Sequence, residues 1–258
     1  MHRLACVALV LVTGCTEAAT SELTFPAAQV EDVILHFNHG SITVRHARDG
    51  EKNDVCILRV TESGTEALGA EKRFAPNVSE KRIRLRQRRN EEKLKLDVEL
   101  VVPAGVDLDL VLREGPIKVD GTYGRVGVTT TKGDVTANFA RCEGATLKSL
   151  EGKVHLTLES GRLTHDVVCE STRGDVSLNV PTGFRGPVQL FSGAAKLKLP
   201  ERPTFQLLVD AGRKSARGFA GSPLDEEEKR KGMSENKWPA SIFGKSPQGT
   251  VELRTNPS

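Results

Sequence analysis

The chain has few aromatic residues and lacks the motifs of common enzymes. Phe, Tyr and Trp make up only 4% of the 258 residues, so a surface on which bases stack would have few side chains to use. Lys and Arg number 37 against 34 Asp and Glu, and a net charge of +3 is too small to predict nucleic-acid binding. Motifs for a nucleophilic serine, a phosphate loop, a zinc protease and a calcium-binding repeat are absent from the sequence. We therefore expect a protein that is not an enzyme, uses no cofactor and binds no nucleic acid.

A short phrase built on glycine recurs along the chain. It consists of Gly, any residue, an apolar residue, a polar residue and an apolar residue. Its strongest copies follow one another at intervals of 18, 19, 22 and 19 residues, and they begin at Gly115, Gly133, Gly152, Gly174 and Gly193. Such a regular interval is typical of a repeat architecture.

The repeat predicts an all-β fold, because its apolar residues alternate with period two. Alternation puts one set of side chains on a buried face: Ile117, Val119, Val135, Val154, Leu156, Val176, Leu178, Val188 and Leu190. About 19 residues suffice for two short strands and two turns, so each interval predicts one coil of a parallel β-solenoid. An antiparallel β-sandwich, which also has a strand about every 8 to 12 residues, is the alternative.

The regions on either side of the repeat are less regular. The same alternation predicts a paired set of strands at 33–37 and 42–44, another strand at 55–60, and a hairpin formed by 83–85 and 94–100. We expect the solenoid domain to cover residues 30–255. Its charged segment 219–245 departs from the repeat and is expected to be an insertion or a cap, because solenoid ends need a polar covering.

The N-terminus has the features of a secretion signal. Arg3 is followed by an apolar stretch up to Val12, too short to span a bilayer as a helix, and then by small residues before Cys15. Residues 12–15, Val-Thr-Gly-Cys, resemble the lipobox of bacterial lipoproteins. The resemblance implies that residues 1–14 are removed and that Cys15 carries diacylglycerol and an acyl chain such as palmitate. We expect residues 15–29 to provide the lipidated cysteine and a tether.

Three further cysteines remain in the mature chain, where an oxidising compartment permits at most one disulfide among them. Cys142 and Cys169 are the pair predicted by proximity in the sequence. The alternative is that these two and Cys56 are buried thiols that pack as small apolar residues.

A basic run precedes the second strand of the predicted hairpin. Arg84, Arg86 and Arg88 share one strand face, which suits contact with anionic lipid headgroups, lipopolysaccharide or acidic glycans. The alternative is an ordinary solvated face, neutralised by Asp97 and Glu99 on the facing strand.

Other polar residues invite a chemical interpretation but fit a structural one better. His36, His39 and His46 lie close in the sequence without a Cys or carboxylate at metal-ligand spacing, so we expect solvated strand histidines and no metal. Asp107 and Asp109 are two carboxylates of the kind that a glycosidase uses, but their alternation with apolar residues predicts an outward strand face.

The tripeptide at 173–175, Arg-Gly-Asp, matches a motif of integrin ligands. It occupies the same slot of the repeat as Lys-Gly-Asp at 132–134. A turn explains both copies, because Gly suits tight turns and Asp bonds nearby backbone. We therefore expect a corner rather than an adhesion motif.

Four segments together resemble one known family. They are VPAGVDLDLVLREGPIKVDG at 102–121, TTTKGDV at 129–135, NVPTGF at 179–184 and SPQGTVEL at 246–253. The chain resembles the bacterial adhesin-like family of β-strand-repeat domains of unknown function, which is related to the head GIN domains. The resemblance implies an extracytoplasmic β-solenoid with no known cofactor or catalytic residues.

These features together predict a lipid-anchored protein of the bacterial cell envelope. Thr16 after Cys15 implies the outer membrane under the enterobacterial sorting rule. We expect a non-catalytic, adhesin-like or scaffold module that binds a protein or glycan. A sensory or regulatory lipoprotein with a membrane-protein partner is the first alternative, and an enzyme acting on polysaccharide is the second.

Overall fold

The computed structural model describes residues 9–11, 18–47, 54–64, 81–87, 94–159, 165–180, 187–192, 197–198, 206–211, 216–217, 241–246 and 252–255. This part of the chain is all-β: it contains strands and one short 3-10 helix, Ala27–Gln29, but no α-helix. Among these residues no helix is long and apolar enough to cross a membrane. Side chains are described as far as residue 179.

The longest strands lie in the middle of the chain, and the shortest lie toward its C-terminus. The first seven are β1 (Leu9–Leu11), β2 (Ala18–Pro26), β3 (Asp32–Arg45), β4 (Val55–Ser63), β5 (Arg82–Arg86), β6 (Lys95–Val101) and β7 (Asp107–Glu114). The next six are β8 (Ile117–Lys132), β9 (Val135–Glu151), β10 (Val154–Leu158), β11 (Val167–Ser171), β12 (Val176–Val180) and β13 (Pro187–Ser192). The last five are β14 (Leu197–Lys198), β15 (Gln206–Ala211), β16 (Ala216–Arg217), β17 (Ser241–Ser246) and β18 (Glu252–Thr255).

Strand pairing is antiparallel at the N-terminal end and parallel beyond it. β1 pairs with β2, β2 with β4 and β4 with β6 in antiparallel fashion, and the other pairs of described strands are parallel. Sixteen strands join in one mixed sheet, while β14 and β16 pair separately.

The parallel ladders form two runs that share their long strands. Run A contains β5, the first half of β3, β7, the second halves of β8 and β9, then β11, β13, β17 and β15. Run B contains β6, the second half of β3, the first halves of β8 and β9, then β10, β12 and β18. The chain therefore alternates between the two runs as it proceeds.

The alternating residues of the repeat face the core as predicted. A continuous cluster of buried side chains includes Ile117, Val119, Val135, Val154, Leu156, Val176 and Leu178, each at most 1% exposed. Outward positions carry polar residues such as Lys118, Thr136 and His155, so each strand is buried on one face. The predicted core positions Val188 and Leu190 lie in β13, for which only the backbone is described.

Corner glycines stack directly on one another in a column that leaves no room for a side chain. This glycine column consists of Gly40, Gly115, Gly133, Gly152 and Gly174. At Gly115, whose φ is +135°, a Cβ would lie 1.7 Å from the carbonyl oxygen of Gly40. Gly133 meets Gly115 O at 1.9 Å in the same way, and the later members repeat the contact. The spacing of glycines in the sequence therefore reflects a close backbone approach between stacked strands.

Buried hydroxyl groups reinforce the same corners. Ser149 Oγ donates to Gly133 O at 2.8 Å, and Ser171 Oγ donates to Gly152 O at 2.6 Å. Thr130 occupies the equivalent position one period earlier and is also buried. These residues, here called the hydroxyl column, satisfy carbonyl groups inside the fold that would otherwise lack partners.

The structure corrects three expectations about the N-terminal region. Residues 18–26 do not form a tether but the strand β2, which pairs along its whole length with β4 and buries Leu23 and Phe25. Segments 33–37 and 42–44 are not a strand pair, because both belong to the continuous strand β3. Residues 83–85 and 94–100 do not form a hairpin, because β5 and β6 pair with different halves of β3.

Other expectations about organisation have mixed outcomes. The strand predicted at 55–60 is confirmed within β4. Of the charged segment 219–245, residues 219–240 lie outside the described part, and 241–245 belong to β17, which lies between β13 and β15.

Candidate interaction surface

Four charged side chains tie the antiparallel strands to the parallel part. Arg59 donates from Nε to Glu22 Oε2 at 2.8 Å and from Nη1 to Glu99 Oε2 at 3.1 Å, and Arg45 Nε donates to Glu99 Oε1 at 2.8 Å. The hydrogen bond to Glu22 is the main reason that the pKa of Arg59 is raised. Burial opposes ionisation of Glu99, but the hydrogen bonds from both arginines outweigh it and lower the pKa of its carboxyl. Acidic and basic side chains thus alternate across four neighbouring strands: Glu22 on β2, Arg59 on β4, Glu99 on β6 and Arg45 on β3.

Arg84 and Arg86 project from the outward face of β5 and are exposed, while the residues between and before them are buried. The adjacent Arg82 is paired, with its Nε 2.5 Å from Asp32 Oδ2. No ion pair joins Arg84 or Arg86 to another residue that the structure describes. The third predicted member of this surface, Arg88, lies outside the described residues.

The carboxylates expected to neutralise these arginines lie elsewhere. Asp97 accepts a hydrogen bond from Ser41 Oγ at 2.6 Å and lies 3.0 Å from Lys95 Nζ. Glu99 belongs to the four-residue network with Arg45 and Arg59. Both carboxylates lie on β6 in run B, whereas β5 lies in run A, so the predicted cross-strand neutralisation is wrong.

His36 and His39 each contact one carboxylate of the neighbouring strand. His36 Nε2 lies 3.1 Å from Asp109 Oδ2, and His39 Nδ1 lies 3.2 Å from Glu114 Oε2. No group of three or more His, Cys, Asp or Glu side chains able to hold a metal ion occurs in the described part of the chain. Asp107 also has a structural contact, since its Oδ1 accepts a hydrogen bond from the Arg125 backbone N–H at 2.7 Å.

His46 uses both ring nitrogens inside the fold. Its Nδ1 lies 2.8 Å from Val102 O, and the Thr122 backbone N–H donates to its Nε2 at 2.5 Å. This arrangement requires the neutral tautomer with hydrogen on Nδ1. The ring also stacks on Tyr123, with 5.0 Å between the centroids. His46 therefore links Val102 to Thr122 through hydrogen bonds, and both of its ring nitrogens are used.

Residues directly before the corner glycines form a column in which acidic side chains alternate with histidine, lysine or arginine, and sequence reasoning missed it. This corner ladder consists of His39, Glu114, Lys132, Glu151 and Arg173. The first four members occupy paired positions on neighbouring strands, and Lys132 Nζ lies 3.9 Å from Glu114 Oε1. Arg173 lies just beyond the end of β11 and forms an ion pair with Glu151. Opposite charges at paired positions stabilise a sheet and like charges destabilise it, so the alternation favours this order of strands. The signal was present in the sequence as His-Gly, Glu-Gly, Lys-Gly, Glu-Gly and Arg-Gly.

The tripeptide at 173–175 belongs to this corner, as expected. Arg173 forms an ion pair with Glu151, and Gly174 is a member of the glycine column. The Val154 backbone N–H donates to Asp175 O at 2.9 Å. The equivalent Asp134 bonds to the next corner: its Oδ1 accepts a hydrogen bond from the backbone N–H of Lys153, directly before β10, at 2.8 Å.

The three cysteines within the described residues, Cys56, Cys142 and Cys169, are all buried. Burial raises the pKa of Cys56 and of Cys142 to about 12 each, and it raises that of Cys169 as well. Burial is the main cause of the raised pKa of Cys169, and the charge of Cys142 adds to it. The predicted disulfide between these two residues stays a prediction, and Cys15 lies outside the described residues.

Comparison with known proteins leaves the family of this chain unassigned. No family model matches it, and no curated protein is similar to it. A structure of a "putative cell adhesion protein" from Clostridium sporogenes is 12% identical, with 93% of this chain and 100% of that chain covered and a TM-score of 0.36. A "putative adhesin" from Bacteroides fragilis is 13% identical, with 92% and 97% covered and a TM-score of 0.28. At these values the likeness identifies neither fold nor function.

Proposed function

We propose that the strands are coils of a β-solenoid. Ile117 pairs with Val135, Val135 with Val154, and Val154 with Val176. These steps of 18, 19 and 22 residues equal the intervals between corner glycines. The chain crosses from run B to run A and back within each step, which supports one coil per interval. A sandwich built from antiparallel neighbours would not give parallel pairing at this offset.

We further propose that the domain is anchored by lipid in the bacterial envelope, at the outer membrane. The lipobox-like residues 12–15 support processing at Cys15 and its acylation. β2 begins at Ala18, so only two residues separate the proposed anchor from the folded domain. Several acyl chains anchor a protein stably, whereas a single chain does so only marginally.

The domain so anchored is proposed to be a non-catalytic, adhesin-like or scaffold module that binds a protein or glycan. The observation that carries this proposal is the in-register stacking of outward polar side chains along run B. Lys118 pairs with Thr136, Thr136 with His155, and His155 with Ser177, whose Oγ lies 2.6 Å from His155 Nδ1. Stacked repeats of this kind present extended surfaces, which suit broad, shallow contacts.

Crosslinking in intact cell envelopes, followed by pull-down of the lipoprotein, tests the proposal. The first measurement is the mass of the N-terminal peptide, which shows whether Cys15 carries acyl chains. Thr136→Arg with Ser177→Arg disrupts the outward face of run B, and Thr129→Arg with Thr146→Arg is the matched control on run A. We expect loss of the crosslinked partner or glycan with the run B variant alone. Capture unchanged by both variants would contradict the proposal.

The same experiment distinguishes the alternatives. A single stoichiometric membrane protein would favour a sensory or regulatory lipoprotein over a general adhesin. Degradation of envelope polysaccharide by the parent, lost in Asp107→Asn with Asp109→Asn, would favour an enzyme. The contacts of these two carboxylates with Arg125 and His36 give no support to that reading.

A further inference from the structure

We propose that the N-terminal end of the domain docks onto anionic lipid headgroups through Arg84 and Arg86. This inference rests on the proposed function, because it takes the lipid anchor at Cys15 as given. It also goes beyond that function by assigning an orientation: the stacking axis of the strands stands upright on the membrane.

The anchor and the strand β2 are too close for the domain to leave the membrane surface. The three residue steps from Cys15 to Ala18 span at most about 11 Å when fully extended. β2 is folded from Ala18 onward, so no further slack is available before the sheet begins. Once cleavage before Cys15 removes β1, β2 is the outermost strand of the sheet on the β6 side.

β5, which carries both arginines, lies at the same end of the stack as β2. The first half of β3 pairs with β5 on one side and β7 on the other, and the second half pairs with β6 and β8. β7 leads directly into β8, so β5 and β6 lie together on the opposite side of β3. β4 and β2 then extend beyond β6 in the same direction.

The distances bring the arginines within electrostatic reach of the headgroups. At about 4.8 Å per strand, β5 lies one spacing beyond β3 and β2 lies three, so β5 is set back from the outer edge by about 10 Å. The arginine side chains leave β5 perpendicular to the sheet, across the stacking axis, and their long stems can bend toward the headgroups. The set-back is comparable to the screening length of about 8 Å at physiological ionic strength, so the headgroups attract both charges.

Charge at this end selects an anionic partner. The described residues 81–87 and 94–95 contain five Lys and Arg and no Asp or Glu. Most described basic groups nearby already have carboxylate partners: Lys81 with Glu31, Arg82 with Asp32, Lys95 with Asp97, and Arg59 with Glu22 and Glu99. Among the described basic residues here, Arg84 and Arg86 have no ion pair with another described residue, so their charges can attract an anionic partner. The anchor at Cys15 keeps the domain next to a lipid surface because only two residues separate it from β2. A soluble glycan would instead have to bind from solution, so we favour the lipid headgroups as the partner.

Hydrogen–deuterium exchange on the mature, reconstituted lipoprotein tests the docking. The protein is placed in vesicles of phosphatidylcholine alone or of phosphatidylcholine mixed with phosphatidylglycerol. We expect the amides of β5 to exchange more slowly on the anionic vesicles, and the difference to vanish at high salt. Each arginine near an anionic surface contributes enough that replacing both with glutamine should lower the docking equilibrium about 30-fold. Arg84→Lys with Arg86→Lys keeps the charge and should keep the protection.

Lys118→Gln with Lys148→Gln is the matched control, because it removes two exposed charges away from this end. Equal exchange on both vesicle types, or protection that survives the loss of Arg84 and Arg86, would overturn the inference. Protection produced only by an added acidic polysaccharide would also overturn it, in favour of a glycan partner. Failure of Cys15 to carry acyl chains would instead overturn the proposed anchor, and mass spectrometry detects that outcome separately.

Discussion

Replacing Gly115 with alanine tests whether stacked corner glycines hold the fold together. The added Cβ would lie 1.7 Å from Gly40 O, whereas an ordinary carbon–oxygen contact is about 3.3 Å. Both groups are backbone, so the strands themselves would have to separate by about 1.6 Å. The Ile42 N–H to Pro116 O hydrogen bond, 3.1 Å long, spans this contact and would be lost.

The expected destabilisation follows from these two effects. A residue with a Cβ forced to a φ of +135° costs about 1–3 kcal/mol, and a broken buried hydrogen bond with unpaired groups costs about 1–3 kcal/mol more. We therefore expect Gly115→Ala to lower the free energy of unfolding by about 4 kcal/mol, a large part of the ~5–15 kcal/mol typical of a domain.

Gly105 provides the matched control for this measurement. Its φ is also positive, at +84°, but a Cβ there would meet nothing within 4 Å. Gly105→Ala should therefore cost only the backbone strain, about 1–2 kcal/mol. Urea denaturation followed by far-UV circular dichroism measures both variants. Equal losses of stability in the two would refute the argument that close approach, and not φ alone, requires glycine at position 115.

Three further predictions concern the charge network, the hydroxyl column and the thiols. Glu99→Gln should destabilise the protein by about 1 kcal/mol at neutral pH. Folding lowers the pKa of Glu99, so the ionised carboxylate stabilises the fold above the ordinary pKa of 4.5, and this stabilisation is lost as the pH falls. The difference in unfolding free energy between the parent and Glu99→Gln should therefore shrink in acid. Ser171→Ala should cost about 1–2 kcal/mol, since it removes the bond to Gly152 O, whereas Ser171→Thr should be tolerated because Thr130 fills the equivalent place. Cys56, Cys142 and Cys169 are buried, so Ellman's reagent should react with them only after denaturation. If the predicted disulfide between Cys142 and Cys169 has formed, only Cys56 should react when no reductant is present.

The periodic part of the fold was predictable because one local rule governs every repeat. Alternation sorted Ile117 and Val135 from Lys118 and Thr136, and the structure buries the first two and turns the others outward. Glycine spacing gave the corners for the same reason, since a close backbone approach tolerates no other residue. The outward placement of Asp109 followed from the alternation too.

Strand partners in the N-terminal region were not predictable from the same pattern. In residues 83–85 and 94–100, apolar and polar side chains alternate in the same way whether the two segments pair as a hairpin or join different runs, as β5 in run A and β6 in run B. The choice depends on β3, which lies about fifty residues earlier in the sequence and offers a separate half to each strand. Alternation fixes which face is buried but says nothing about which neighbour is bonded.

The charge relationships were missed because they connect residues that are far apart in the sequence. His39 and Glu114 are paired neighbours in the fold but are separated by 75 positions, 114 − 39, in the sequence. Small and polar residues at 16–24 suggested a linker, yet Leu23 and Phe25 supply enough apolar surface to build β2. The composition of residues 18–26 therefore did not predict a strand, because their burial depends on pairing with β4, which lies about forty residues later in the sequence.

The alternation of the corner ladder restricts how this molecule can change in length during evolution. Deleting 134–152 would bring Val154 opposite Ile117 and keep every apolar side chain inside, shortening the stack by one spacing of about 4.8 Å. That deletion also sets Lys132 beside Arg173, two like charges. Deleting 116–152 instead sets Glu114 beside Arg173 and restores attraction. The core permits growth or loss by single repeats, whereas the charges favour steps of two.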